Sequence, residues 1–213
     1  MKKPRILIAC EVTGKVRDAF TKLGADATSC DIKPSEKKGK HYQGDVLDII
    51  GDGWDAMIGF PPCTYTTYAG TSVWNEPGRA RKRLNALDFF LTLWEADIPF
   101  ICLENPFGVV DAVIEKHHQQ IHPFYFGEQH MKRTCLWLKN LPPLEYHLGD
   151  TLFGESTSVA KPKPIYTDKN GKKRYYVDAL SGKNGGAAKR SETFSSIAEA
   201  MAGQWMDIIR KGL

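Results

Sequence analysis

No stretch of this chain strings together the roughly 18 apolar residues that would cross a bilayer. The apolar run Ile6-Leu7-Ile8-Ala9, behind Lys2, Lys3 and Arg5, is too short for the core of a secretory signal, so a cytoplasmic location and no membrane partner are expected. Cysteine is sparse. Five occur, an odd number, widely spaced and without a CxxC pair, so neither a disulfide framework nor a bound metal is expected. Cys10, Cys30, Cys102 and Cys135 sit within or beside apolar runs, as small buried hydrophobes do, and Cys63 does not. Internal repeats are lacking. Glycine is scarce where a phosphate-binding turn would need it: Cys10-Glu11-Val12-Thr13-Gly14 is not GxGxxG, which excludes a pyrophosphate there and leaves room for a nucleoside without phosphates.

What is present is an ordinary globular composition, 42% hydrophobic and 25% charged over 213 residues, sized for one compact domain. Net charge is only +4, and one segment carries the excess. Lys161 to Arg190 holds nine Lys/Arg against two acidic residues, leaving 20 basic and 23 acidic residues elsewhere. Such a cluster suits either a solvated loop or contact with a phosphate backbone. The residues from Gly149 to Glu192 are rich in Gly, Ser, Pro and Lys, which reads as a basic insertion (149–190) in a main domain formed by 1–148 and 191–213. A hairpin is expected around Asp168-Lys169-Asn170-Gly171.

Apolar patterning predicts strands at Arg5–Cys10, Ala25–Cys30, Trp54–Phe60, Ile98–Leu103, Ile121–Phe126 and Thr134–Leu138, with a further element at Gly44–Ile50. Helices are expected at Gly14–Leu23, Arg79–Trp94 (stripe Leu84, Leu87, Phe90, Leu91, Trp94), Val109–His117 and Ile197–Ile209, the last capped by Ser195 or Ser196. The alternation predicts an α/β fold with a mostly parallel sheet. The last two strands lack a crossover helix, so one of them should be antiparallel. Trp74, Trp94 and Trp137 read as core, and His117, His118 and His122 as a solvated helix end rather than metal ligands.

Open α/β sheets bind ligands beyond the carboxyl ends of their strands. Asp31, Asp45, Cys63 and Glu104 all fall there in this reading. Asp31 lies 17 residues after Gly14, near the offset at which an acidic residue meets a ribose. Pro61-Pro62 mounts Cys63 on a turn with few backbone options, as a nucleophile requires and a core cysteine does not. Glu104 ends the apolar run Phe100–Leu103, where desolvation raises a carboxyl's pKa into the range useful for proton transfer.

Pro62-Cys63 after one strand and Glu104-Asn105-Pro106 after the next resemble the two central motifs of the DNA cytosine-5 methyltransferases, in the short form found in phage genomes. Ile6 to Phe20 is similar to that family's first motif, with Gly14 and Phe20 in register, and Ser195 to Trp205 to its last. The resemblance covers residues 4 to 140 and 191 to 211. It implies a Rossmann-like S-adenosylmethionine-dependent methyltransferase fold and a monomer acting on DNA with the target cytosine flipped out. It also implies Cys63 attack on C6 and Glu104 at N3 and the amino group, aided by Lys132 or Arg133. S-adenosylmethionine would be held by Ala9, Cys10, Glu11, Gly14, Asp31, Asp45, Pro61 and Ser196, and DNA by Pro62, Tyr65 and Asn105, with Lys172, Lys173 and Arg174 from the insertion.

The chain departs from the pattern at several points. Glu11 is unusual in the first motif, Thr64 follows Cys63 where glutamine is common, and the later Gln-x-Arg-x-Arg motif survives as Gln129-His130-Met131-Lys132-Arg133. The recognition region is short, which implies a short or relaxed target site. Methylation of an exocyclic amine is disfavoured by Phe60, which stands where such enzymes carry an acidic or amide side chain. Pyrimidine C5 chemistry on RNA or a free nucleotide, and a catalytically silent DNA-binding protein, remain as alternatives.

Overall fold

The computed structural model describes residues 3–68, 73–148, 156–169, 171–179 and 193–212. Its sheet has seven strands: β1 (Arg5–Ala9), β2 (Asp26–Asp31), β3 (His41–Gln43), β4 (Ala56–Gly59), β5 (Phe100–Asn105), β6 (Gln119–Ile121) and β7 (Thr134–Lys139). They lie in the order β3-β2-β1-β4-β5-β7-β6. β1 to β5 run parallel, and β7 is antiparallel to both its neighbours. This is a mixed, Rossmann-like α/β sheet, mostly parallel as expected, with the single reversed strand that the missing crossover helix demanded.

The helices are α1 (Lys15–Lys22), α2 (Arg79–Trp94), the single turns α3 (Val110–Val113) and α4 (Tyr176–Ala179), and α5 (Ser195–Lys211). Alternation along the strands sorts the core into two layers. Ile6, Ile8, Ile58 and Cys102 face α1 and α5, meeting Val16, Phe20, Met201, Trp205 and Ile209. Leu7, Met57, Ile101 and Leu103, with Trp137 of β7, form the other layer together with Leu87, Phe90 and Leu93 of α2.

Several expected elements shift. The element expected at Gly44–Ile50 is a 3-10 turn, Val46–Asp48, capped by Asp45, and the edge strand lies before it at His41–Gln43. The helix expected over Val109–His117 stops after one turn, where the Asp111 carboxylate accepts the His117 backbone N–H (2.8 Å) and sits 2.7 Å from its Nδ1. Pro123 starts a 3-10 turn through Phe126, so the strand expected at Ile121–Phe126 lies instead at Gln119–Ile121 and shares only Ile121 with it. On α2 the buried stripe begins at Leu87, and Leu84 is exposed. Trp137 is fully buried as expected, while Trp74 and Trp94 only pack against the edge of the core. His122 is buried, stacked on Phe124, not solvated. Among the described residues no three His, Cys, Asp or Glu side chains are grouped to hold a metal, and no helix is long and apolar enough to cross a membrane.

The hairpin forms as β8 (Tyr166–Thr167) against β9 (Lys173–Arg174), with the Asp168 carboxylate accepting the Lys172 N–H at 3.0 Å. Asn170 of its turn, and positions 149–155 and 180–190 of the insertion, lie outside the described residues, as do 191 and 192, where the boundary is expected.

Candidate active site

The sheet registers place the expected residues on one rim. Cys30 pairs with Ala9, Ala9 with Gly59 and Gly59 with Leu103. The next residues, Asp31, Cys10, Phe60 and Glu104, therefore stand level at the carboxyl ends of four adjacent strands. Strand order reverses between β1 and β4, which is where such sheets open a crevice for ligands.

On the β1–β2 side, Cys10 adopts φ 59°, a left-handed conformation that most sequences assign to glycine. A turn built around Cys10 thus replaces the missing glycines. Glu11 does something the sequence did not reveal. Almost fully buried, it turns its carboxylate onto the start of α1, accepting the Val16 N–H (2.7 Å), the Arg17 N–H (3.2 Å) and the Thr13 hydroxyl (3.3 Å). It is an internal helix cap, not a group facing the crevice, and it takes the place where an anion would dock. Burial raises its pKa, and those hydrogen bonds and Arg17 pull it back. Gly14 (φ 67°) precedes α1 and packs on the buried Arg17, whose guanidinium donates to Ser29 Oγ (3.1 Å), Ser35 Oγ (3.2 Å) and the Lys38 carbonyl (3.0 Å). Arg17 pins the charged loop after β2 and was missed in the sequence, where it resembles any surface arginine.

Asp31 and Asp45 converge on Cys10, whose thiol is pushed up to about 12 by burial and then by the charges of Asp31, Cys30 and Asp45. One Asp31 oxygen accepts the Lys33 N–H at 2.9 Å, and one Asp45 oxygen accepts the Leu47 N–H at 3.0 Å. Asp31 and Asp45 make this rim acidic.

On the β4–β5 side the two motif loops are laced together. Asn105 is 1% exposed; its Nδ2 donates to the Pro61 carbonyl (2.9 Å) and its Oδ1 accepts the Thr66 hydroxyl (2.8 Å). The Cys63 carbonyl accepts the Thr66 and Thr67 N–H groups at 3.2 and 3.1 Å, closing a turn around the thiol. Val109 N–H donates to the Thr66 carbonyl (2.8 Å), and Gly108 packs so closely that a Cβ would lie 2.0 Å from that oxygen. Asn105, expected to face DNA, is instead buried with its amide bonded to the turn that carries Cys63. Pro61 is buried, Pro62 exposed and Cys63 half-buried. Burial pushes the other cysteine thiols up: Cys30 to about 11, Cys10 and Cys135 to about 12, and Cys102 well above its ordinary value.

Glu104 points to the opposite face of β5 from Asn105, into a narrow pocket with Phe60, Lys132, Thr134, Phe194, Ile197 and Met201. Desolvation raises its pKa, and the Lys132 charge partly offsets this. Lys132 is thus the cation brought to Glu104. Arg133 is exposed and lies over the Phe107 ring at 5.7 Å. Ser196, expected at the cofactor, gives its N–H to Glu128 (2.7 Å); Phe194 is the N-cap of α5, and neither Ser195 nor Ser196 caps it with a side chain. Lys172 and Lys173 are exposed on the hairpin, whereas Arg174 is paired with Asp168 at 2.8 Å.

No family model matches the chain, and no curated protein does. Among solved structures it is similar to a protein from an E. coli prophage described as a DNA modification methyltransferase, with 14% identity, TM-score 0.42, 64% of this chain covered and 46% of that one. The chain therefore spans less than half the length of that protein. It is also similar to the Entamoeba histolytica methyltransferase EhMeth, with 14% identity, TM-score 0.48, and 100% and 99% of the two chains covered.

Proposed function

We propose that this protein is a methyltransferase that uses S-adenosylmethionine to modify C5 of cytosine in DNA, with Cys63 as nucleophile. The observation that carries the reading is the junction of the two loops. Asn105 ties Pro61 and Thr66 to the end of β5, so the cysteine turn and the Glu104 strand end form one rigid unit at the sheet's crevice. A core thiol needs no such mount; a nucleophile that must meet a ring carbon does.

Asp31 suits the ribose hydroxyls, and Asp45 and the Cys10 turn line the same rim. With Glu11 filling the anion position at α1, the cofactor fitted here carries no phosphate, and the acidic rim favours a sulfonium. When bound, that cofactor supplies an electrophilic methyl group. Cys63, deprotonated, adds its sulfur to C6, and the C5–C6 π electrons shift toward C5. Glu104, whose pKa desolvation raises, holds N3 and the exocyclic amine and stabilises the charge that develops in the ring. Once C5 is substituted, loss of its proton returns the electrons to C5–C6 and expels the thiolate.

The test is nucleoside mass spectrometry on DNA from cells expressing the protein or its Cys63→Ala variant. A 5-methylcytosine signal that disappears with the substitution is expected. An unchanged signal in Cys63→Ala overturns the nucleophile, and modified RNA or nucleotide with untouched DNA overturns the substrate.

A further inference from the structure

In the sequence α2 reads as a core helix, but its first turns are not core. Arg79, Arg81, Lys82 and Arg83 place four cations within five positions. Arg79, Lys82 and Arg83 share one helix face by their spacing of three and four. The Arg79 guanidinium lies 5.1 Å from the centre of the Tyr65 ring and donates to the Thr64 carbonyl at 3.4 Å; Lys82 Nζ lies 5.7 Å from the same ring. Arg83 covers Trp74 at 4.0 Å. From Trp74 the rings continue to Tyr68 (5.7 Å) and from Tyr68 to Phe107 (5.4 Å), which lies beneath Arg133. Tyr65, Tyr68 and Trp74 are half-buried, and Phe107 is 41% exposed. Among the described residues none of these five cations has a carboxylate within ion-pair distance.

The result is a belt of alternating cations and rings that begins at Thr64-Tyr65, immediately after Cys63. Four like charges in five residues repel one another, and ring faces attract cations without neutralising them. The counter-charge that this surface lacks is a polyanion, and alternating aromatic and basic side chains are the means by which proteins hold a nucleic-acid strand. We propose that this belt, rather than the insertion alone, binds the phosphodiester backbone of the strand that carries the target base, with Arg79 and Lys82 as the contacts nearest the nucleophile. The proposal rests on the nucleic-acid reading above and deepens it: a strand seated here runs past Cys63.

The experiment measures binding of a fluorescent 20-base-pair DNA duplex, and of RNA of the same sequence, across a salt series. Full-length wild type is compared with Arg79→Gln/Lys82→Gln and with Lys3→Gln/Lys22→Gln, which removes equal charge at the opposite end of the strands. Each phosphate contact contributes roughly 0.9 to the slope of log K against log salt on duplex DNA, so the belt variant should lose about 2 in slope and about tenfold or more in affinity near 0.1 M salt. The Lys3/Lys22 variant should keep its slope. Equal losses in both variants, or no loss in the belt variant on either polymer, overturn the proposal. Should the double variant fail to fold by circular dichroism, Lys82→Gln alone, at an exposed position, decides through a loss of about 1 in slope. Mass spectrometry of the same proteins separates this from the reaction. Belt-dependent binding without 5-methylcytosine keeps the belt and overturns the methyltransferase. Methylation by wild type with an unchanged slope in Arg79→Gln/Lys82→Gln overturns the belt and keeps the enzyme.

Discussion

Glu11 and Glu104 are both carboxylates withdrawn from water, yet their neighbours give them opposite tasks. Glu11 receives two backbone N–H groups and a hydroxyl, which is how a structural carboxylate is held. Glu104 faces a mostly apolar pocket that also holds Lys132 and Thr134, and there desolvation raises its pKa. A carboxyl whose folded pKa is raised above the ordinary value of 4.5 destabilises the fold when ionised. That cost is absent below about pH 4.5, where folded and unfolded chains both carry the proton, and it grows as pH rises through the folded value. Glu104→Gln should therefore melt at a higher temperature than wild type at pH 7 to 8, with the gap closing toward pH 4, while methylation is lost. A gap of equal size at both pH values in paired melting curves would count against a buried, strained carboxylate. From sequence alone Asp31, Cys63 and Glu104 were legible because each follows an apolar strand. Glu11 looked no different from a rim residue, since its direction depends on where α1 begins relative to the Cys10 turn.

At the scale of elements, the decisive feature is the contact between the loop after β4 and the loop after β5. Asn105→Ala should cost about 2 kcal/mol of folding stability, because it takes the amide donor from the buried Pro61 carbonyl and leaves the Thr66 hydroxyl with only its bond to the Cys63 carbonyl (3.3 Å). It should also lower kcat more than it raises KM, since Cys63 loses its fixed position. Gly108→Ala should have a related effect through sterics, about 1–3 kcal/mol, because its Cβ would press on the Thr66 backbone. Urea melts together with steady-state kinetics read both; a variant that is less stable yet keeps its kcat would make the lacing purely structural. The long elements were legible in the sequence: β1, β4, β5, β7 and the body of α2 carry strong periodicity. β3, β6 and the single turn α3 were not, because three or four residues contain too few repeats to reveal a period, and their ends are decided by Pro123, Asp111 and the pairing of neighbours. The belt escaped notice because its rings come from three separated segments and only the fold brings them beside the first turns of α2.

For the whole molecule, binding of a ligand at the crevice raises stability by mass action. S-adenosylmethionine at about 100 times its Kd should add about 2.7 kcal/mol, which for a chain of this size is a rise in Tm of roughly 5–10 °C. Asp31→Ala should lose most of that rise and weaken binding about tenfold or more, as expected for a charge-assisted hydrogen bond. Calorimetry checks both, and an unaltered Kd would remove Asp31 from the cofactor site. The sequence by itself determined the α/β alternation, the reversal of one late strand, and the rigid Pro61-Pro62-Cys63 turn, because periodicity, connection length and proline geometry are local properties. Only the tertiary structure decided that Asn105 serves the loop instead of a ligand, that Lys132 and not Arg133 stands by Glu104, that Arg174 is paired with Asp168, and that the basic start of α2 lies beside Cys63. Those facts depend on which way a side chain points from its strand or helix and on what the fold brings opposite it, and neither is encoded within any single segment.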